Sequence, residues 1–319
     1  MLVVSIGLSV LFLWLAARGV ELSVFWESLQ ECNYLMLIPA FVALVVGVAI
    51  RAVRWQLLFA PATRPPLAAV TRALLVGQLF NVVLPMRAGE AARIVVLYQD
   101  AGTSRAESLG TVAVERLYDV LGLLLLLLLT TPFLPEATWL QRAAVLAAVL
   151  LALAAMAAVV VRRYGARPVR VVLRPLARLP RVTGAHLEGI ADRLVYGLGA
   201  LHRPRLAAPG FLLGVASWLV LALSCWFVLM AFDLELGYGA GVLILVTTTL
   251  SLVIPSAPGG LGVFEAGGVL ALSAFGVDES TALSATVVLH AFTVFPVALV
   301  GAIALHGHAV RLRSARQAS

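Results

Sequence analysis

Six stretches of this chain are apolar over lengths that suit a bilayer better than a globular core: Leu2–Ala17, Leu35–Ile50, Leu109–Thr130, Ala143–Val161, Phe211–Ala231 and Thr281–Leu305. A helix needs about 20 mostly apolar residues to cross a membrane. Composition agrees. Of 319 residues, 62% are hydrophobic and 12% charged, about half the roughly 25% charged usual in soluble domains. A mean hydropathy of +1.02 excludes a soluble globule, a disordered chain and a disulfide-stapled secreted domain. The expected fold class is an all-α polytopic integral membrane protein. The first stretch has no basic n-region before it, so it reads as a membrane segment and not as a cleaved leader. Cys32 and Cys225 support neither a disulfide framework nor a zinc site.

Two further apolar regions are interrupted. Leu67–Leu97 is cut by Pro85-Met86-Arg87-Ala88-Gly89, and Gly239–Phe275 by Pro255-Ser256-Ala257-Pro258-Gly259-Gly260. Each half is near the lower limit for spanning. Broken or re-entrant backbone survives at membrane depth only where protein or a wet cavity satisfies it. The sequence thus predicts about six full spans plus two broken helix pairs.

All 23 basic residues are arginine, and their placement sets orientation. Ten lie between Arg162 and Arg205; Arg51, Arg54 and Arg64 follow the second span, and Arg311, Arg313 and Arg316 close the chain. These segments are expected in the cytoplasm. The opposite loops carry Glu21, Glu27, Glu31, Glu136, Asp233 and Glu235, with Arg18 as the main basic exception. Both termini are then cytoplasmic, in the plasma membrane of a prokaryote. The net charge of +7 is a topology signal and does not imply nucleic acid. Val169–Leu201 reads as a positive-inside loop, or as an amphipathic connector against anionic lipid.

The two broken regions resemble each other. Asn81-Val82-Val83-Leu84-Pro85 precedes a glycine turn and Glu90; Ser251-Leu252-Val253-Ile254-Pro255 precedes another and Glu265. Each is flanked by one long apolar stretch on either side. The predicted organisation is one membrane domain over residues 1–310. It holds repeat one at 35–130, repeat two at 210–305 and a basic connector at 162–205, with a basic tail at 311–319. The units enter from opposite sides, an inverted repeat of the kind that places transporter sites between discontinuous helices.

Ionisable groups inside membrane segments cost about 2.5–3.5 kcal/mol each on insertion scales and are functional candidates. Arg87 lies at the first glycine turn, ahead of a helix start whose free N–H groups favour an anion. Glu90 and Arg93 are spaced to pair on one helix face. Glu115, Arg116 and Asp119 are drawn into the membrane because the apolar run after them is too short to span alone. They either lock helix packing as a charge network or line a cavity. Glu265 is protonated, pairs with an arginine of the other repeat, or carries a coupling proton. His290 is first a packing group, and otherwise a partner for Glu265. Arg51 and Arg54, beside Trp55, read first as an interfacial anchor and second as headgroup contacts.

The substrate-binding candidates are Arg87, Gly89, Glu90, Arg93, Glu115, Arg116, Asp119, Pro258, Gly259, Gly260, Gly262 and Glu265. Arg51, Arg54, Asn81 and His290 are secondary. The absence of lysine excludes a Walker A loop and a Schiff base. HExxH, GxSxG and metal-spaced His/Cys sets are missing. No catalytic residue, cofactor or metal is expected.

The chain resembles the flippase-like membrane domain of lysylphosphatidylglycerol synthases, which also occurs in stand-alone bacterial and archaeal proteins. The likeness rests on Arg51-Ala52-Val53-Arg54-Trp55, on Asn81 through Arg93, on Glu115-Arg116-Leu117-Tyr118-Asp119 and on Pro258 through Glu265. It covers roughly residues 1 to 310. Before the glutamate of the second turn the family often has a basic residue; this chain has Phe264. The resemblance implies a flippase or scramblase-like transporter that moves a phospholipid or glycolipid between leaflets. The soluble aminoacyl-transfer activity of the synthase members is not expected. The alternatives are an intramembrane lipid-modifying enzyme using Glu115 and Asp119 as acid and base, or a membrane partner of a soluble lipid synthase or glycosyltransferase docked on the Arg162–Arg205 loop. Expected partners are membrane lipids with an anionic or zwitterionic headgroup; a homodimer and a soluble synthase partner stay open.

Overall fold

The computed structural model describes residues 22–84, 88–164, 204–254 and 256–317. Leu2–Ala17, Arg87, Pro255 and nearly all of the 162–205 connector lie outside the described residues. The rest is helical, with no strand among the described residues. The helices are α1 (Leu22–Glu31), α2 (Leu37–Leu57), α3 (Leu67–Val83), α4 (Gly89–Ala101), α5 (Arg105–Thr130), α6 (Thr138–Tyr164), α7 (Pro204–Ala231), α8 (Tyr238–Ser251), α9 (Val263–Ser273) and α10 (Glu279–Gln317).

Four of these contain segments long and apolar enough to cross a membrane: 34–57, 138–157, 208–231 and 279–311. The chain is an all-α membrane protein. Val145, Met156, Phe295, Leu299 and Ile303 are exposed on these segments, side chains that suit lipid and not water. Helix α5 has 26 residues, about 39 Å at 1.5 Å per residue, but carries Glu115, Arg116 and Asp119 in its middle. Both interrupted regions are helix pairs, as expected. Helices α3 and α4 have 17 and 13 residues, and α8 and α9 have 14 and 11. All four are shorter than a full span.

Local chemistry sets the breaks. Pro65 and Pro66 precede α3, where a missing N–H is harmless. After α3, Leu84 is extended at φ −104°, ψ 145°. The Asn81 side chain accepts a hydrogen bond from Gly89 N–H at 2.9 Å, which folds α4 back onto α3. That approach needs glycine: a Cβ on Gly89 would lie 1.8 Å from the Gly77 carbonyl oxygen. Helix α4 ends at Gly102 with φ +64°, a left-handed C-cap. In the second break Gly259, Gly260 and Gly262 have φ of 75°, 81° and 84°, a backbone path that side chains resist.

Helix α2 packs most extensively on α7, α3 on α4 and α10, and α8 on α9 and α7. Helix α5 meets α7, α8 and α4, and α10 meets α9. Lipid tails leave little hydrophobic drive between helices, so small residues and buried polar groups hold the pairs. Ser224 Oγ on α7 donates to the Ala40 carbonyl on α2 at 2.8 Å. The largest buried apolar cluster includes Leu221, Leu229, Leu243, Ile244, Leu272 and Leu289. A second, around Trp55, Phe59, Val70, Leu74 and Leu97, backs the first broken pair. The 3-10 turn Pro258–Gly260 rests against α3, and a Cβ on Gly259 would lie 3.7 Å from the Val82 carbonyl oxygen. The second break therefore meets the last turn of α3.

Several helices run past their expected bounds, and α7 starts at Pro204, seven residues before the expected Phe211. Helix α2 runs on through Leu57, so Arg51, Arg54 and Trp55 lie within it. Helix α10 continues to Gln317, so residues 311–317 are helical.

Candidate functional site

Arg54 is wholly buried, and so is Trp55. This corrects the reading of that segment as an interfacial anchor: a guanidinium at 0% exposure cannot reach the membrane surface. It is retained there because α5 presents two carboxylates one turn apart, Glu115 and Asp119. Arg54 Nη1 donates to Asp119 Oδ1 at 2.7 Å, and Nη2 lies 3.1 Å from Glu115 Oε1. Arg93, from α4, lies 3.0 Å from Glu115 Oε2 and 2.7 Å from Glu90 Oε2. Arg116 lies 3.2 Å from Glu90, 3.3 Å from Glu115 and 3.3 Å from Asp119. Its side chain is 42% exposed, so it forms the rim of a network whose centre is Arg54. The expected pairs Glu90–Arg93 and Arg116–Asp119 are both present.

Arg51, one turn before Arg54, has no carboxylate of its own among the described residues. Its guanidinium lies over the Trp218 ring, 4.1 Å from the centroid, a cation–π contact. It borders a cavity of about 20 Å³ together with Gln78, Asn81, Glu90, Arg93, Glu115 and Arg116. That volume is about one water molecule, so this arrangement is closed to a headgroup. Trp55 completes the surroundings: Arg93 lies over its ring at 4.6 Å, and its Nε1 donates to Thr111 Oγ1 at 3.1 Å.

The charges do not balance. Arg51, Arg54, Arg93 and Arg116 face Glu90, Glu115 and Asp119, leaving one positive charge in excess among the described residues. Among the described residues, the Nε atoms of all four arginines and Nη2 of Arg51, Arg54 and Arg93 are buried without a well-aligned hydrogen bond, as are the acceptors Glu90 Oε2 and Glu115 Oε2. Buried charge without a partner is expensive, and unmet guanidinium donors suit an anion such as phosphate.

The second glycine turn gathers a different set. Glu265 Oε2 accepts the Gly262 N–H at 2.7 Å, capping α9. Its other oxygen, Oε1, lies 2.6 Å from His290 Nδ1. Glu265 therefore pairs with a histidine of its own half, and with no arginine of the other among the described residues. His290 Nε2 lies 2.9 Å from the Gly259 carbonyl oxygen, so this histidine is more than a packing group. Phe264 stacks on the imidazole, with centroids 4.2 Å apart and planes at 18°.

A third polar cluster escaped sequence reasoning. Arg72 on α3 pairs with Asp100 on α4, and His308 on α10 lies 2.8 Å from Asp100 and 2.9 Å from Gln99. Trp218, at the Arg51 guanidinium, was also missed. Neither has a local motif; both arise where distant helices meet.

Fold and site together define a membrane-embedded helical protein with buried ion pairs at one helix break and a carboxylate–imidazole pair at the other. The chain belongs to the lysylphosphatidylglycerol synthase TM region family, which it matches over residues 2–301. It is 27% identical over 283 residues to a UPF0104 membrane protein of Methanothermobacter thermautotrophicus, covering 84% of this chain and 82% of that one. It is 26% identical over 321 residues to the glycosyltransferase AglD of Haloferax volcanii, covering 91% of this chain and 51% of the relative. The chain thus spans about half the length of that glycosyltransferase.

Proposed function

We propose that this protein moves a lipid with an anionic headgroup between the leaflets of the plasma membrane, as a flippase or scramblase-like transporter. The observation that carries the reading is the unbalanced network. Four arginines converge on three carboxylates at a break in the membrane helices, with donors left over. A phosphate supplies the missing negative charge and oxygens that a guanidinium can grip bidentately. Glu90, Glu115 and Asp119 keep the arginines apart and in place when no anion is bound.

The packing supports an inverted repeat. Helices α2–α5 and α7–α10 run long, short, short, long; the first member of each pairs with the other, α3 meets the last member of the second set, and α8 meets the last of the first. In this reading the broken pairs are re-entrant and open to opposite sides, both termini face the cytoplasm, and the headgroup crosses between the breaks while acyl tails stay in lipid. The 20 Å³ cavity is then the closed state, and transport requires the first hairpin to move.

A second reading takes its support from the matched half of a glycosyltransferase. The membrane region would hold or deliver the lipid for a transferase, without crossing the bilayer itself. One experiment separates the two. The purified chain in vesicles is assayed for exchange of a fluorescent phospholipid between leaflets. Protein-dependent exchange is expected. Exchange no faster than in empty vesicles contradicts transport, and lipid bound stoichiometrically without exchange favours delivery.

A further inference from the structure

Glu265 and His290 form a second buried polar pair, apart from the arginines. Hydrogen-bond bookkeeping at the imidazole is restrictive. A carbonyl oxygen only accepts, so His290 Nε2, 2.9 Å from Gly259 O, carries a hydrogen. Nδ1 faces a carboxylate oxygen at 2.6 Å. Two bare acceptors repel at that distance, so a proton lies between them as well. On nitrogen it makes an imidazolium beside a carboxylate; on oxygen it makes a neutral imidazole beside a carboxylic acid. Both forms contain the same number of protons.

When that proton leaves, one N–H remains for two acceptors on opposite sides of the ring. If it stays at Nε2, a bare Nδ1 faces the carboxylate. If it moves to Nδ1, a bare Nε2 faces the Gly259 carbonyl. One contact is lost in either case. The contact to Gly259 matters mechanically because this residue sits at φ 75° in the 3-10 turn that rests on α3. Glu265 holds the same turn from the other side through Gly262 N–H.

We infer that Glu265 and His290 are a single-proton binding site, and that the bound proton pins the Pro258–Gly262 turn against α3. The proton enters from water on one side of the membrane when the turn closes. It leaves to water on the other side when the turn opens. Coupling of that cycle to a headgroup rests on the transport reading above; the proton site itself does not.

Among the described residues, few other ionisable groups reach this pair. Helix α9 has no other. Helix α8 contributes Thr247, Thr248 and Ser251, and its Tyr238 donates to Leu219 O. On α3, Arg72 is taken by Asp100. Helix α1 carries Glu27 and Glu31, both exposed, and Glu279 at the start of α10 is exposed too.

The test uses the full chain in lipid nanodiscs. Infrared difference spectra are recorded through a titration between about pH 4 and 10, for native protein, Glu265→Gln and His290→Gln. A spin label at Ala257→Cys, with Cys32 and Cys225 replaced by alanine, reports the turn. The expected result is one titration in the native protein, with carboxyl and imidazole bands changing together and label mobility rising as the proton leaves. That joint titration is lost in both variants. Separate titrations, no titration, or a label indifferent to pH would overturn the inference. Vesicles with a pH dye in the lumen add the coupling. Lipid exchange without proton movement refutes coupling and spares the transport reading. Absence of any exchange refutes transport and leaves the spectra to decide the proton site.

Discussion

Arg54 Nη1 and Asp119 Oδ1 lie 2.7 Å apart within the buried charge network, joining α2 to α5 across 65 residues of sequence. Arg54 also reaches Glu115, so one guanidinium holds two carboxylates that are 2% and 5% exposed. Removing it takes the shortest contact from Asp119, which keeps Arg116 at 3.3 Å, and one of three arginine contacts from Glu115. Arg54→Ala is expected to lower stability by about 1.5–3 kcal/mol, the range for hydrogen bonds to charged groups, seen as a lower thermal midpoint in detergent. Arg54→Lys recovers only part, since an ammonium does not reproduce the fork. Replacing exposed Arg64 by alanine should stay within about 0.5 kcal/mol. Equal midpoints for Arg54→Ala and Arg64→Ala would refute the central role of Arg54.

The fold of the first helix pair turns on Gly89. A Cβ there would overlap the Gly77 carbonyl and the Asn81 side chain. Gly89→Ala is expected to push α4 off α3, with loss of the folded fraction on size-exclusion chromatography or a strongly lowered midpoint. Gly102 also lacks a side chain, but nothing lies within 4 Å of its would-be Cβ. Its left-handed backbone accepts asparagine, so Gly102→Asn should elute and melt like the native protein.

His308 and Arg72 both grip Asp100, so one carboxylate joins α10 to both helices of the first broken pair, beside the His308–Gln99 contact. Asp100→Asn keeps the shape and removes the charge. Hydrogen–deuterium exchange over residues 300–310 and 96–101 should accelerate several-fold, while the α2–α5 network stays protected. Unchanged exchange in these segments would show that the tie does not hold α10.

Asp278 caps α10 at the membrane's edge. Burial pushes its carboxyl upward, but the Thr281 N–H at 2.9 Å and other backbone donors outweigh that and hold it below its ordinary 3.8. A depressed pKa stabilises the fold above the unfolded value and loses that effect as pH falls through the folded value. Asp278→Ala should therefore cost about 1 kcal/mol at neutral pH. The difference from native should shrink below about pH 4. A gap that does not change with pH would contradict the cap.

Much of this arrangement is legible in the sequence. Apolar length marks the long helices, and the Pro/Gly interruptions at 85–89 and 255–260 mark the two short pairs. Spacing predicts Glu90–Arg93 and Arg116–Asp119, because three-residue steps on a helix bring side chains together whatever the tertiary fold. The segment Arg51–Trp55 misleads for the complementary reason. Arginine and tryptophan near the end of an apolar run have the composition of an interface. Only the two acids on α5, far away in sequence, draw them inward. The stacking of Phe264 on His290 and the seat of Arg51 on Trp218 depend on contacts between helices, which periodicity does not encode.

The most direct test is the rate of leaflet exchange of an anionic phospholipid in vesicles containing native protein or Arg51→Gln. Arg51 is the guanidinium with no carboxylate among the described residues, so its loss should leave the ion pairs in place and cost at most about 2 kcal/mol of stability from the Trp218 contact. A charge-assisted hydrogen bond contributes about 1.5–3 kcal/mol, which predicts exchange slowed by roughly tenfold to a hundredfold. Exchange by Arg51→Gln at the native rate would contradict the assignment of the unbalanced arginine network as the headgroup site.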